Sequence, residues 1–233
     1  MKDETLDRLI RAQNREDTFE YAIFTRPIGK DVDFGLGWDS EIKADLGDHL
    51  PYTFYFIKHD NECIGVVLDM THDLHWYMVE KYRKKGYLNN ALKSTILPHL
   101  AKKRTTQTIT IAKRQIGEEN FAASIRVAQL VGFKAVEEES DKKLAFILDL
   151  KKMYKKKLDT EICEGLDDER LRALRIKMNH VATSLHQIQV ELEMKLGKSK
   201  YTKRMKHIVT ELKLFKSLKL DDAVYDFEAI KRE

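Results

Sequence analysis

Between His75 and Leu92 the chain passes from a short aromatic run, His75-Trp-Tyr-Met-Val79, through a basic turn closed by a glycine, Arg83-Lys-Lys-Gly86, directly into an amphipathic segment. That order constrains the local structure more than any other stretch does. It predicts a strand that enters a helix through a tight turn. Such a junction leaves several backbone N–H groups without intrahelical acceptors and adds the positive end of a helix dipole. Donors and dipole together suit a phosphate group. On its own, Arg83-x-x-Gly86 is also what an ordinary strand–helix connection looks like.

The flanking sequence supplies a sheet for this junction. Residues 52–57 (Tyr-Thr-Phe-Tyr-Phe-Ile) and 63–68 (Cys-Ile-Gly-Val-Val-Leu) are β-prone runs joined by the polar His59-Asp-Asn-Glu62, a predicted hairpin. Residues 108–112 predict another strand. Residues 118–131 predict a helix with Phe121, Ser124, Ile125, Ala128 and Val131 on one face, ended by Gly132-Phe133. An apolar strand at 144–150 closes the region.

Over roughly residues 15–150 this order resembles the GCN5-related N-acetyltransferase superfamily. The resemblance rests on Arg83-Lys-Lys-Gly86, on the helix expected at 89–100, and on the segment running from Asn120 and Ser124 to Gly132-Phe133. It implies an α+β fold with a central mixed sheet flanked by helices, and acetyl-CoA as co-substrate with no metal. It further implies that Arg83, Lys84, Lys85, Gly86, Tyr87 and Leu88 hold the pyrophosphate. The main chain of Tyr77, Met78 and Val79 would receive the pantetheine arm and supply an oxyanion donor, with Asn120 and Ser124 as further cofactor contacts. Three positions depart from the family pattern. Leu88 stands where a third small residue is usual, Ala128 where a proton-donating tyrosine is frequent, and Asn120 lies one residue farther from Gly132 than the usual spacing.

Acyl transfer to an amine asks for a neutral nitrogen near the thioester carbon and for a donor to the developing oxyanion. Glu80 and Asp69, at the ends of adjacent predicted strands, are candidate bases, with His75 and His72 as titratable alternatives. The acid would be Tyr87, another residue or solvent. The acceptor is expected at residues 26–51, where Phe34 and Trp38 accompany Asp31, Asp33, Asp39, Asp45 and Asp48, a set suited to a cationic amine. Asp69 and His75 would border that pocket. Whether the amine belongs to a small molecule or a protein stays open.

At 233 residues the chain accommodates an ordinary domain plus a smaller module. No apolar run approaches the ~20 residues that span a bilayer, and the first residues lack the order of a signal peptide. Cys63 and Cys163 form neither a metal motif nor a disulfide framework. These features fit a cytoplasmic protein. Residues 151–233 carry a net charge of +6 and residues 1–150 a net charge of −2. The boundary is therefore placed at the lysine-rich 151–157, giving an acyl-CoA-binding domain at 1–150 and a basic helical module at 151–233.

In that module Leu171, Leu174, Met178, Val181, Leu185, Ile188 and Leu192 recur in steps of three and four. After a break at 196–200, Tyr201, Met205, Ile208, Leu212 and Phe215 step likewise. Two such stripes predict an antiparallel helical hairpin, closed on itself or on the first domain, or a homodimer through residues 167–218. Lysines crowd the hairpin tip and would attract nucleic acid, yet no recognition motif for it is visible. The function read from the whole chain is N-acetyl transfer. The alternative is a non-catalytic scaffold of the same fold, with the helical module as its working part.

Overall fold

The computed structural model describes residues 1–16, 21–39, 50–136, 143–151, 165–215 and 219–230. The chain divides into two units, Met1–Cys163 and Glu164–Glu233. The division falls within 152–164, outside the described residues, so the lysine-rich run after the last strand is not itself placed.

The first unit is α+β. Helix α1 (Asp3–Gln13) precedes strands β1 (Tyr21–Gly29), β2 (Val32–Asp39), β3 (Tyr52–His59), β4 (Glu62–Asp69) and β5 (Leu74–Met78), which form one antiparallel sheet in that spatial order. A second antiparallel sheet holds β6 (Thr106–Ala112), β7 (Lys134–Ala135) and β8 (Lys143–Asp149) in the order β6-β8-β7. All described ladders are antiparallel, and the two sheets end at β5 and β6 rather than pairing there. The β3–β4 turn carries positive φ at Asp60 (50°) and Asn61 (66°), the signature of a two-residue hairpin loop.

Strand periodicity sorts the core onto both faces of the first sheet. Leu6, Leu9 and Ile10 of α1 pack with Phe54, Phe56, Val66 and Leu68 on one face. Ile57, Ile64, Val67, Leu74 and Met78 share the other face with the helices after β5 and with β6 and β8. Each fully buried Leu or Ile contributes roughly 1.5–3 kcal/mol against exposure. Gly35 and Gly37 make room for the rings of Phe56 and Phe54, which stand 2.6 and 3.0 Å from where a Cβ would lie. Asn14 ties the end of α1 to the sheet: its side chain donates to Cys63 O at 3.0 Å and accepts from Cys63 N at 2.8 Å.

After β5 comes a 3-10 turn (Glu80–Tyr82), then α2 (Tyr87–Ala91), a π turn (Leu92–Ile96) and α3 (Leu97–Ala101) without interruption. Pro98 lacks an N–H, and the wider π turn just before it accommodates the missing bond. Helix α4 (Lys113–Val131) is broken at Gly117, where φ is 76° and ψ 170°, so its regular part starts at Glu118. Gly132 caps it in the left-handed region. Helix α1 and the β1–β2 hairpin have no counterpart among the expected elements. The hairpin's turn lacks the Asn-Gly type signal, and α1, although Leu6, Leu9 and Ile10 share one face, has no side-chain N-cap to mark its start.

The second unit contains α5 (Asp168–Leu196), α6 (Lys200–Leu214) and α7 (Leu220–Ile230). Asp167 caps α5 by accepting from Arg170 N, and Ser199 caps α6 in a reciprocal box with Thr202. The turn at Gly197 makes α5 and α6 an antiparallel pair, and α7 is tied to α5 by the Arg175–Asp221 ion pair. The expected seam divides on packing. Met178, Leu185 and Leu192 are half-buried beside the buried Ala182 and Gln189, whereas Val181 and Ile188 remain exposed. Among the described residues no helix is long and apolar enough to cross a membrane, and no group of three His, Cys, Asp or Glu could hold a metal.

Candidate functional site

Strand β5 pairs with β4 on one edge only. Val79 N–H donates to Ile64 O at 3.0 Å, and in an antiparallel ladder the bonded residues then alternate. Tyr77 and His75 accordingly turn their main chain toward β4. Trp76 and Met78 turn theirs toward the edge that faces β6. Of the expected trio Tyr77, Met78 and Val79, the geometry leaves Met78 at the open edge and brings in Trp76. The period of two would have shown this once one bond was assigned.

Side chains rather than a ladder join β5 to β6. One carboxylate oxygen of Asp73 accepts from Leu74 N at 2.8 Å and from Thr110 N at 2.9 Å. Gln107 Nε2 donates to His72 O at 3.2 Å, and the Thr108 hydroxyl donates to the same carbonyl. The stitches lie at the start of β5, so the two edges are fastened there and carry no ladder toward Met78. In hydrogen bonding the pair is a wedge, stitched at one end and unladdered at the other, where β5 runs on toward the basic turn.

The turn is built to leave its N–H groups exposed. Lys84 (φ 59°) and Gly86 (φ 86°) are left-handed, and Gly86 caps α2 without a side chain to offer. The first helical bond runs from Asn90 N to Gly86 O. Among the described residues the N–H groups of Lys84 to Asn89 therefore have no acceptor. A Cβ added at Gly86 would meet nothing within 4 Å, so this side of the turn is open. A concave run of main-chain donors of this kind is an anion nest.

The basic side chains are distributed around it. Arg83 folds back, donating from Nε to Met78 O at 2.9 Å with its guanidinium 5.5 Å from the Tyr77 ring. Lys84 reaches across to Glu119 at 2.8 Å, which brings the start of the regular part of α4 beside the turn and holds the Glu119 carboxyl below its usual range. Lys85 Nζ lies 5.6 Å from the Tyr82 ring. Asn120, exposed, follows Glu119, and Ser124 sits half-buried one turn later. Asn89 Oδ1 is buried with no donor among the described residues, a polar atom beside the turn that no motif marked. Leu88 is buried in the core, so the departure from a small residue places its side chain beneath the turn and away from the donors.

The turn is braced from the β4 side. Tyr82 Oη donates to Glu62 at 2.6 Å and Lys81 Nζ to its other oxygen at 3.1 Å. These two hydrogen bonds hold the Glu62 carboxyl below the usual carboxylate range. Tyr87 stacks with His59 at 4.7 Å and stands 6.1 Å from Tyr82. It therefore belongs to this brace, on the edge of β5 opposite the wedge.

The remaining candidates are spread apart. Glu80 is exposed at the head of the 3-10 turn. Asp69 is held by both terminal nitrogens of Arg104 at 3.0 Å and caps Thr71 N. His75 Nε2 lies 2.9 Å from Asp3 on the α1 face. Ala128 is fully buried. Phe34 is a strand residue packed 5.7 Å from Tyr55 and 5.2 Å from His99, with the Arg26 and Lys103 cations 5.6 and 5.9 Å from its ring. Trp38 packs edge-on against Phe24 at 6.0 Å. Asp33 pairs with Lys58 at 2.8 Å. Asp45 and Asp48 lie outside the described residues, as does Cys163. Burial pushes the Cys63 thiol up to about 12, which makes it a core residue and no nucleophile.

No family model matches this chain, and no curated protein matches it. Among solved structures it is similar to the ribosomal-protein-S18-alanine N-acetyltransferase from Escherichia coli, at 12% identity and a TM-score of 0.30, over 50% of this chain and 74% of that one.

Proposed function

We propose that the first unit binds an acyl-CoA, acetyl-CoA in the first instance, and transfers its acyl group directly to an amine. The observation that carries this reading is the run of acceptor-free N–H groups from Lys84 to Asn89 at the open end of the β5–β6 wedge. The donors suit a pyrophosphate, and the unladdered edge at Trp76 and the Met78 N–H suits an extended arm bearing amides, the Met78 carbonyl being taken by Arg83. Such a co-substrate would supply an activated thioester carbonyl. The chain's own part is to hold the reactants in line and to offer a main-chain donor to the oxyanion. This arrangement agrees with the resemblance of the turn and of the Asn120–Gly132 segment to GCN5-related N-acetyltransferases.

The lack of an evident acid–base pair beside the edge of β5 supports a second reading, a domain of this type that binds but does not turn over. Asp69 is paired with Arg104, Tyr87 faces away from the wedge, Ala128 stands where a tyrosine is frequent, and near the turn Glu62 and Glu119 are engaged by Tyr82 and Lys84. The test is amine-dependent release of free CoA thiol from acetyl-CoA, with a panel of polyamines and lysine peptides as acceptors. Release that Gly86→Trp abolishes supports the transferase. Tight CoA binding with no release across the panel supports the binding domain.

A further inference from the structure

The helical unit carries an apolar face that its own helices leave uncovered. Among its described residues only Leu171, Ala182 and Val209 are buried apolar side chains, while Val181, Ile188, Tyr201, Ile208 and Phe215 are 43–69% exposed. The exposed residues recur every seven positions on each helix, and four of the five stand next in sequence to the packed stripe: Val181 before Ala182, Ile188 before Gln189, Tyr201 before Thr202, Ile208 before Val209. The exposed stripes are thus rotated in the same sense from the α5–α6 contact. On antiparallel helices that rotation brings both stripes to one side of the pair. Ile188 and Ile208 lie ten residues either side of Lys198, and Val181 and Phe215 lie seventeen, so they form matched rungs.

We infer that this face is covered by the same face of a second copy, giving an antiparallel four-helix bundle. A seven-residue repeat over two adjacent helices asks for a partner with the same repeat. The charges choose the partner and its direction. On α5 the rim beside the stripe reads Lys177, Ser184, Glu191, with opposite charges equidistant from a small central residue. A twofold axis crossing the helices between Val181 and Ile188 sets Lys177 of each copy against Glu191 of the other, twice. The same axis layers Val181 over Ile188 and Ile208 over Phe215. It also sends the basic tips, with Lys195, Lys198 and Lys200, to opposite ends. This inference is independent of the acyltransferase reading.

Light scattering coupled to size-exclusion chromatography of the full chain tests it. The expected species has twice the 27.3 kDa chain mass and dissociates on dilution. Ile188→Asp and Ile208→Asp, at positions half-exposed in the single chain, should give monomers with unchanged circular dichroism. Lys177→Glu and Glu191→Lys should each weaken association about tenfold, because each opposes like charges at two rim sites. The double variant K177E/E191K should regain the original affinity. A wild type that stays monomeric at high concentration, a trimer, or single charge variants that associate as wild type does would each overturn the inference.

Discussion

Asp73 and Thr110 are joined across the gap between the two sheets: the Thr110 N–H donates at 2.9 Å to the Asp73 oxygen that also takes Leu74 N–H. One carboxylate thereby replaces the first rung of a β5–β6 ladder. It fixes the closed end of the wedge and satisfies two edge N–H groups at once. Asp73→Ala should therefore lower stability in urea by about 0.5–1.5 kcal/mol, the net worth of hydrogen bonds whose donors water can reach. Asp73→Asn keeps an acceptor oxygen and should lose less. Equal losses in the two variants would show that the bridge does not depend on that oxygen.

Gly86 separates backbone conformation from space. Its φ of 86° disfavours any side chain, yet a Cβ would touch nothing. Gly86→Ala should cost the free protein about 1 kcal/mol, measured by thermal unfolding, through strain alone. Because a change of turn geometry would scatter the donors, the same substitution should weaken CoA binding. Binding that survives with full affinity would place the pyrophosphate elsewhere.

Leu88 makes the complementary case. Its side chain lies in the core, so Leu88→Ala should destabilise the domain by about 2–5 kcal/mol. CoA affinity, measured below the unfolding transition, should change little. A large affinity change with little loss of stability would mean that Leu88 faces the ligand.

Glu62 links acid sensitivity to the turn. Its carboxyl is held below the usual range, first by the Tyr82 hydroxyl and then by Lys81. The sign follows: its contribution is complete above the unfolded pKa, near 4.3, and is lost as pH falls through the lower folded value. Wild type should show this acid loss, and Glu62→Gln should not. Stability curves of the two proteins that run parallel from pH 7 to pH 3 would contradict it.

Glu119 pairs with Lys84 at 2.8 Å, beside the N–H groups of the turn. Glu119→Gln should free that lysine and strengthen CoA binding by roughly twofold to fivefold at low salt, an effect that screening removes. Unchanged affinity at low salt would show that Lys84 takes no part.

The strand–turn–helix order around Gly86 and the helix over 118–131 were legible because each carries local chemistry: a glycine that needs positive φ, or a period that changes; the kink at Gly117 was not foreseen. The β3–β4 hairpin was legible for the same reason, since Asp60-Asn61 accept positive φ. What escaped depends on long-range pairing. Nothing local says that Tyr87 stacks on His59, that Arg104 claims Asp69, or that Trp76 and not Tyr77 offers its main chain to the open edge. The heptad reading of α5 found Leu171, Met178, Leu185 and Leu192 on the packed side, but it also counted the exposed Val181 and Ile188 and omitted the buried Ala182 and Gln189. It could not say which of two adjacent stripes α6 would cover, because both are apolar.

The most direct test of the central claim is calorimetric titration of CoA and acetyl-CoA into the full-length wild type and into Gly86→Trp. The account predicts saturable one-to-one binding by the wild type, weakened at least tenfold in a variant that remains folded. No heat and no thermal stabilisation of the wild type at saturating ligand, or equal binding by both proteins, would contradict it.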